Sequence, residues 1–184
     1  MPAPEPMPSQ SPVTVEDIRG AIGSLVILCG RLEKDLRDAL ADLSNGQAKP
    51  LPPLIGLGAH LAAWHRLLRA RIQADQHHLA TADRFAALLD HATRIRNGLC
   101  HGMQGFSADP HGYGSPVELY IQIHGADETI PWSRMSAAIS LLAVANFTLW
   151  RLTGAALQPD LPGTADMLDD VNHTLDRIAA DLLP

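Results

Sequence analysis

Apolar residues recur every three or four positions between residues 18 and 43, which is the spacing of one helix face. Thr14 and Asp17 precede them with the spacing of a capping box, and residues 44–46 (Ser-Asn-Gly) predict the helix end. Gly20, Gly23 and Gly30 weaken such a helix and could let another helix approach it closely. The pattern therefore predicts one long amphipathic helix. Its apolar stripe comprises Ile18, Ile22, Leu25, Cys29, Leu32, Leu36, Leu40 and Leu43.

Four further segments show the same helical spacing. They begin near Pro53, Thr81, Ser133 and Thr164, and Gly154 predicts the end of the fourth helix. Aromatic residues make up only 4% of the chain, and Ala and Leu supply most of the apolar surface, which favours helix over sheet. The expected fold class is all-α, an up-and-down bundle of four or five helices.

The period changes between the third and fourth helices. Residues 102–116 contain many Gly and Pro residues and predict a loop. Apolar and polar residues then alternate over residues 117–124, which is typical of a half-buried strand. Residues 125–127 predict a turn, and residues 128–130 a short returning strand. We therefore expect a small β-hairpin insertion after the third helix.

Length and composition indicate a single globular domain. The chain has 184 residues, of which 46% are hydrophobic and 18% charged. Residues 1–12 are rich in Pro and Ser and predict a disordered tail, which leaves residues 13–184 as one helical domain. The first residues lack the pattern of a signal peptide, and no apolar run reaches about 18 residues. We therefore expect a cytoplasmic protein.

The densest chemistry lies in Arg94–Gly102, at the end of the third predicted helix. On an unbroken helix Arg96 and His101 would point about 140° apart. Gly98 can end or distort the helix after Asn97 and bring His101 beside Arg96. Arg96 would then hold a phosphate while His101 removes a proton from a 2′-hydroxyl, and Asn97 would orient the histidine or bind the phosphate. The alternative is a surface arginine with a histidine near a helix C-terminus, where cations are favourable anyway.

Other polar clusters carry weaker signals. The second helix has a face with His65, Arg66, Arg69 and Arg71, which is either solvated or a flank that contacts phosphate. Cys100 adjoins His101, but no second base or orienting acid accompanies it as a nucleophile needs; Cys29 is expected in the core. No pair of the nine histidines has sound ligand spacing, so we expect neither metal nor cofactor. The net charge of −6 argues against a general nucleic-acid coat protein but allows a local basic site.

The run from Arg96 to Gly102 closely resembles the Arg-Asn-x-x-x-His motif of the HEPN superfamily, the nucleotide-binding domains of higher eukaryotes and prokaryotes. It has the Asn after Arg, an apolar residue two before His and a Gly after it. The layout of residues 14–182 also resembles HEPN domains, in which the motif follows a central helix of a four- or five-helix bundle. Leu32-Glu33-x-x-Leu36 resembles a recurrent acidic position on the first helix.

The resemblance implies a metal-independent endoribonuclease, of the kind found among toxins and anti-phage or stress-response proteins. It implies a homodimer whose two motifs face each other, with RNA as the substrate. Arg96 carries over as the phosphate-binding residue, His101 as the catalytic histidine and Asn97 as the supporting polar residue, while Glu33 is a weaker carry-over. An antitoxin or regulatory protein is a possible partner. Met103 stands where toxins paired with a nucleotidyltransferase antitoxin often carry Tyr.

Two other functions remain open at this point. Some members of the superfamily bind without cutting, so the chain could be a non-catalytic HEPN-like module for RNA, a nucleotide or a partner protein. A bundle with a purely structural role in a larger assembly is the third hypothesis. It would be favoured if Arg96 and His101 lay apart or were buried in unrelated contacts.

Overall fold

A computed structural model describes residues 13–44, 55–72, 75–107, 117–123 and 125–183. It contains five helices with a small sheet inserted after the third, which confirms the predicted all-α bundle with a β insertion. The elements, in chain order, are α1 (Val15–Ser44), α2 (Leu57–Arg71), α3 (Gln76–His101), β1 (Met103–Ser107), β2 (Glu118–Ile123), β3 (Ala126–Pro131), α4 (Trp132–Leu157) and α5 (Thr164–Leu182).

Side-chain caps explain the starts of two helices, α1 and α3. Thr14 and Asp17 form the predicted capping box, because the Asp17 N–H donates to Thr14 Oγ1 at 3.2 Å and the Thr14 N–H donates to Asp17 Oδ2 at 2.8 Å. The third helix starts earlier than predicted. Asp75 caps it by accepting from the His78 N–H at 3.0 Å, and Thr81 lies inside the helix with its hydroxyl donating to the His77 carbonyl.

The helices do not alternate strictly in direction. Glu33 lies near His60, and the Arg71 side chain donates to the Leu43 carbonyl, so α1 and α2 run the same way. Helices α3 and α5 also run parallel, because His77 lies near Asp169 and, about two turns further along both helices, Arg84 lies near Asp176. The order is therefore up, up, down, up, down. A longer connection between α1 and α2, at residues 45–56, makes a parallel pair possible.

One hydrophobic core joins all five helices and the sheet. Trp64 and Phe85 are fully buried at its centre, with their rings edge to face at 5.9 Å. The Trp64 indole N–H donates to the Thr153 hydroxyl at 3.0 Å, so its polar atom is satisfied.

Helix α4 is long and apolar enough to cross a membrane by length and composition, but half of its most apolar window is buried in the bundle. It extends past Gly154, where the sequence predicted its end, to Leu157.

The insertion is a three-stranded antiparallel sheet in the order β1-β2-β3. The predicted hairpin corresponds to β2 and β3, whereas β1 falls in the stretch expected to be a loop. Strand β1 pairs with β2 from Met103–Ile121 to Ser107–Glu118, with a register shift between Met103 and Gly105. This bulge and Gly105 within the strand obscure the alternation of apolar and polar residues that would indicate a strand.

Several sequence predictions lie outside the described residues. They are the disordered tail of residues 1–12, the helix start near Pro53, the Pro-containing connector that the sequence predicts at residues 45–53 and the remainder of the predicted loop at residues 108–116.

Candidate functional site

Helix α3 continues without interruption through His101. The Gly102 N–H donates to the Gly98 carbonyl at 2.8 Å, and Gly102 is the C-terminal cap. The hypothesis that Gly98 ends the helix is therefore wrong. Because the helix is regular, Arg96 and His101 leave it about 140° apart and about 7.5 Å along its axis.

The two glycines of the motif, Gly98 and Gly102, allow the sheet to pack closely against α3. A Cβ at Gly98 would overlap the Ile121 side chain, and a Cβ at Gly102 would overlap the Gln122 carbonyl oxygen. The Gln122 N–H donates to the Gly102 carbonyl at 2.8 Å. Strand β2 therefore packs directly on the last turn of α3, which fixes the backbone of His101 against the sheet.

Arg96 has unused donor capacity. One Nη1–H donates to Asn97 Oδ1 at 2.8 Å, so the Asn97 side chain orients the guanidinium group. Arg96 Nε is buried and has no hydrogen-bond partner among the described residues. Within those residues no carboxylate pairs with Arg96, whereas Arg69 pairs with Asp83. A guanidinium group with open N–H donors and no carboxylate partner is suited to bind a phosphate.

Cys29 of α1 lies beside this arginine. Its side chain is buried, as the sequence predicted. Burial raises the pKa of the Cys29 thiol to about 11, against the opposite effect of the Arg96 guanidinium and with a smaller contribution from Cys100. The thiol is therefore neutral at physiological pH and does not neutralise Arg96. The electrostatic effect of Arg96 on the Cys29 thiol indicates that the arginine lies on the side of α3 that faces α1.

His101 is exposed at the end of α3. Its imidazole has no hydrogen-bond partner within the described part of the chain, so it is open to a ligand. Cys100 is a half-buried free thiol. Neither His101 nor any other described residue forms a hydrogen bond with it, so the structure offers no support for a thiol nucleophile.

Glu33 does not contact Arg96 or His101 among the described residues. Its Oε1 lies 3.7 Å from His60 Nδ1 and 3.8 Å from an Arg37 nitrogen. Glu33 follows Cys29 by one helical turn, about 6 Å along α1, and so shares the side of α1 that Arg96 approaches. The structure thus joins Arg96 to Asn97, while it places His101 around the helix and Glu33 on a neighbouring one.

His60 is a polar residue of this region that the sequence did not single out. It is 95% buried in α2 and its Nδ1 lies 2.8 Å from the Gly56 carbonyl oxygen. One sequence feature could have identified it: His60 follows Leu57 by three residues and therefore lies within the apolar stripe of α2. A histidine in such a stripe needs a polar partner, and the Gly56 carbonyl supplies it.

Most of the basic side chains on α2 form contacts with other helices of the fold. His65 Nε2 lies 2.7 Å from Asp83 Oδ1, and Arg69 Nη1 lies 2.8 and 2.9 Å from the two oxygens of the same carboxylate. Arg71 donates to the Leu43 carbonyl at 3.0 Å. These contacts tie α2 to α3 and α1, so only Arg66 of the predicted cationic face remains without such a contact among the described residues.

Within residues 13–44, 55–72, 75–107, 117–123 and 125–183, no group of three or more His, Cys, Asp or Glu side chains is arranged to hold a metal ion. Comparisons of the chain with models of protein families, with curated proteins and with solved structures found no match.

Proposed function

We propose that this protein is a cytoplasmic, metal-independent endoribonuclease of HEPN type, with a composite active site at a homodimer interface. Its setting is toxin activity, anti-phage defence or a stress response, under an antitoxin or another regulatory protein. The observation that carries the proposal is the end of α3. There a half-buried arginine, whose guanidinium group is oriented by Asn97 and whose Nε–H has no hydrogen-bond partner among the described residues, is followed by an exposed histidine.

The reaction needs few groups. His101 takes the proton from an RNA 2′-hydroxyl, whose oxygen attacks the adjacent phosphorus as the bond to the 5′-oxygen breaks. Arg96 stabilises the negative charge that develops on the phosphorane oxygens. A water molecule protonates the departing 5′-oxygen, and His101 returns its proton to the resulting hydroxide. The products are a 2′,3′-cyclic phosphate and a 5′-hydroxyl, so the charge and atoms balance without a metal ion.

A second copy of the chain would compensate for the different directions of the Arg96 and His101 side chains. Arg96 and His101 of one helix point about 140° apart, so one chain does not direct both side chains at the same phosphorus. A two-fold axis beside the end of α3 would set Arg96 of each protomer near His101 of the other. It would also double the local number of arginines in a chain whose net charge is −6.

The test is RNA cleavage in EDTA by purified His101→Ala and Arg96→Ala variants. We expect each to lose cleavage by at least about 100-fold, because each removes a group that acts in the transition state. His101 is exposed, so His101→Ala should melt near the wild-type temperature; Arg96 is half-buried, so circular dichroism verifies that Arg96→Ala is folded. His173→Ala, at an exposed histidine of α5, is the matched control and should cleave normally. Cleavage at the wild-type rate in both site variants would refute the proposal.

A non-catalytic HEPN-like module is the second candidate. The divergence of Arg96 from His101 and the bond from Arg96 to Asn97 favour it, since both are compatible with holding a phosphate without cutting. A wild-type protein that binds an RNA pool through Arg96 and leaves every transcript intact would identify this function instead.

A further inference from the structure

Helix α4 carries an aromatic ridge on its solvent side, at the end of the bundle away from His101. Trp150 is 69% exposed and Phe147 is 52% exposed. Their rings stack at 6.2 Å with an interplanar angle of 19°, and the Arg151 guanidinium lies 4.0 Å above the Phe147 ring. Large aromatic residues that are ordered but face water mark binding surfaces more often than isolated exposed side chains do.

Trp150 separates two grooves. The first, of about 230 Å³, lies between α1 and α4; its walls include Asp38 and Asp42 on one side and Trp150 and Leu157 on the other. The second, of about 490 Å³, lies between α4 and the connection to α5, and its walls are mainly apolar, with Phe147, Leu161 and Met167. The two grooves and the ridge form one continuous surface, which we call the α4 face.

The α4 face has a negative rim. Asp35, Asp38 and Asp42 line the α1 side of the first groove, and the α4 side contributes no charged residue there. Helices α1 and α4 run in the same direction and neither has a basic residue in its last turn. The negative end of the α4 dipole therefore adds to the carboxylates, whereas Arg71 donates to the Leu43 carbonyl at the end of α1.

Two cations near this rim are engaged, whereas the exposed Arg31, beside Asp35, has no ion pair among the described residues. Lys34 Nζ lies 2.7 Å from Asp38 in an exposed pair, and Arg151 covers the Phe147 ring at 3.9 Å from Asp170. Asp42 is exposed and has no ion pair in the described part of the chain, and Asp38 is exposed as well. The rim can therefore accept positive charge from outside.

We propose that the α4 face binds a cationic amphipathic helix of a partner protein. The apolar side of that helix occupies the grooves on either side of Trp150, and its Lys or Arg residues meet the exposed carboxylates of Asp38 and Asp42. The first groove follows α4 from Asn146 to Leu157, about 17 Å, which is the length of about three turns of a bound helix. Because the rim is negative, it repels RNA phosphates, so the α4 face is distinct from the site at His101.

The test uses two synthetic peptides and fluorescence anisotropy. Both peptides are amphipathic helices of about 15 residues with the same leucine face; one carries Lys at its polar positions and the other Glu. We expect the Lys peptide to bind the full-length protein and the Glu peptide to bind at least about tenfold more weakly. Trp150→Ala should weaken binding of the Lys peptide about tenfold, as expected for an aromatic anchor. The double substitution Asp38→Asn with Asp42→Asn should weaken it and reduce its dependence on salt.

Two matched variants serve as controls. Ile27→Ala removes an apolar side chain of α1 that is 71% exposed and lies outside both grooves, and Asp90→Asn removes an exposed carboxylate of α3. Both should bind the Lys peptide as the wild type does. Circular dichroism verifies that every variant is folded.

Three results would overturn the proposal. The first is equal binding of the two peptides, or Lys-peptide binding that Trp150→Ala leaves unchanged. The second is self-association in analytical ultracentrifugation that Trp150→Ala abolishes, which would make a second copy the occupant. The third is Trp150-dependent binding to phosphatidylcholine vesicles with no binding of the Lys peptide, which would make a lipid surface the occupant.

Discussion

Gly102 is the residue at which α3 and β2 approach most closely. A methyl group there would overlap the Gln122 carbonyl oxygen, and backbone atoms cannot move aside as a flexible side chain can. We expect Gly102→Ala to lower the free energy of unfolding by about 1–3 kcal/mol, because it overpacks this contact and strains the Gln122–Gly102 hydrogen bond. Urea unfolding followed by circular dichroism measures the change.

Gly105→Ala is the matched control for Gly102→Ala. A Cβ at Gly105 meets no described atom within 4 Å, so we expect its free energy of unfolding to change by about 0.5 kcal/mol or less. Equal stabilities of the two variants would contradict the packing role of Gly102.

At the scale of the element, α1 carries three glycines without a packing partner. The sequence suggested that they let another helix approach, but a Cβ at Gly20, Gly23 or Gly30 would meet no described atom within 4 Å. Each glycine therefore only weakens the helix. We expect Gly30→Ala to raise the free energy of unfolding by about 1 kcal/mol, through the higher helix propensity of alanine. A thermal midpoint equal to or below that of the wild type would contradict this prediction.

The contact between α3 and α4 depends on a neutral histidine. Burial lowers the pKa of His78 from its ordinary value of 6.5, and its Nε2–H donates to the Leu152 carbonyl at 3.1 Å. The nearby Asp75 carboxylate acts in the opposite direction, and His77 adds to the lowering. Below pH 6.5 the unfolded chain therefore binds a proton at this position that the folded chain does not, so stability falls as the pH falls. Above that pH His78 contributes no pH dependence.

His78→Gln isolates this effect. Glutamine can still donate a hydrogen bond to Leu152 but does not titrate. We expect the variant to lose less stability than the wild type when the pH is lowered from about 7 to about 5, where histidines titrate. Chemical denaturation at each pH gives the two differences; identical losses in both proteins would contradict the assignment to His78.

At the scale of the whole molecule, the proposed composite site makes a prediction about mixed dimers. Arg96→Ala retains His101, and His101→Ala retains Arg96. If the site combines these residues across a two-fold axis, dimers formed from the two inactive variants contain one intact pair. We expect the mixture, after unfolding and refolding together, to recover part of the wild-type cleavage rate, whereas each variant alone stays inactive. No recovery, with mixed dimers verified by differently sized tags, would show that each site uses one chain.

Much of the fold could be predicted from the sequence because helices depend on neighbours three or four residues apart. The stripe from Ile18 to Leu43, the Thr14–Asp17 capping box and the alternation in β2 are all local patterns, and each is present in the structure. The position of Arg96 and His101 at the end of the third helix followed from the same spacing. The identity of the chemistry there rests on side-chain type and on the HEPN resemblance, and it stays a prediction.

The tertiary structure decided what depends on residues far apart in the chain. It showed that α1 and α2 run parallel and that β1 is a strand, since strand pairing is made with β2 across a gap of more than ten positions. It also changed the meaning of Gly98, which does not break α3 but makes room for Ile121. The sequence alone shows that a glycine allows both unusual backbone conformations and close packing. Only the neighbour packed against it shows which of these two properties the fold requires.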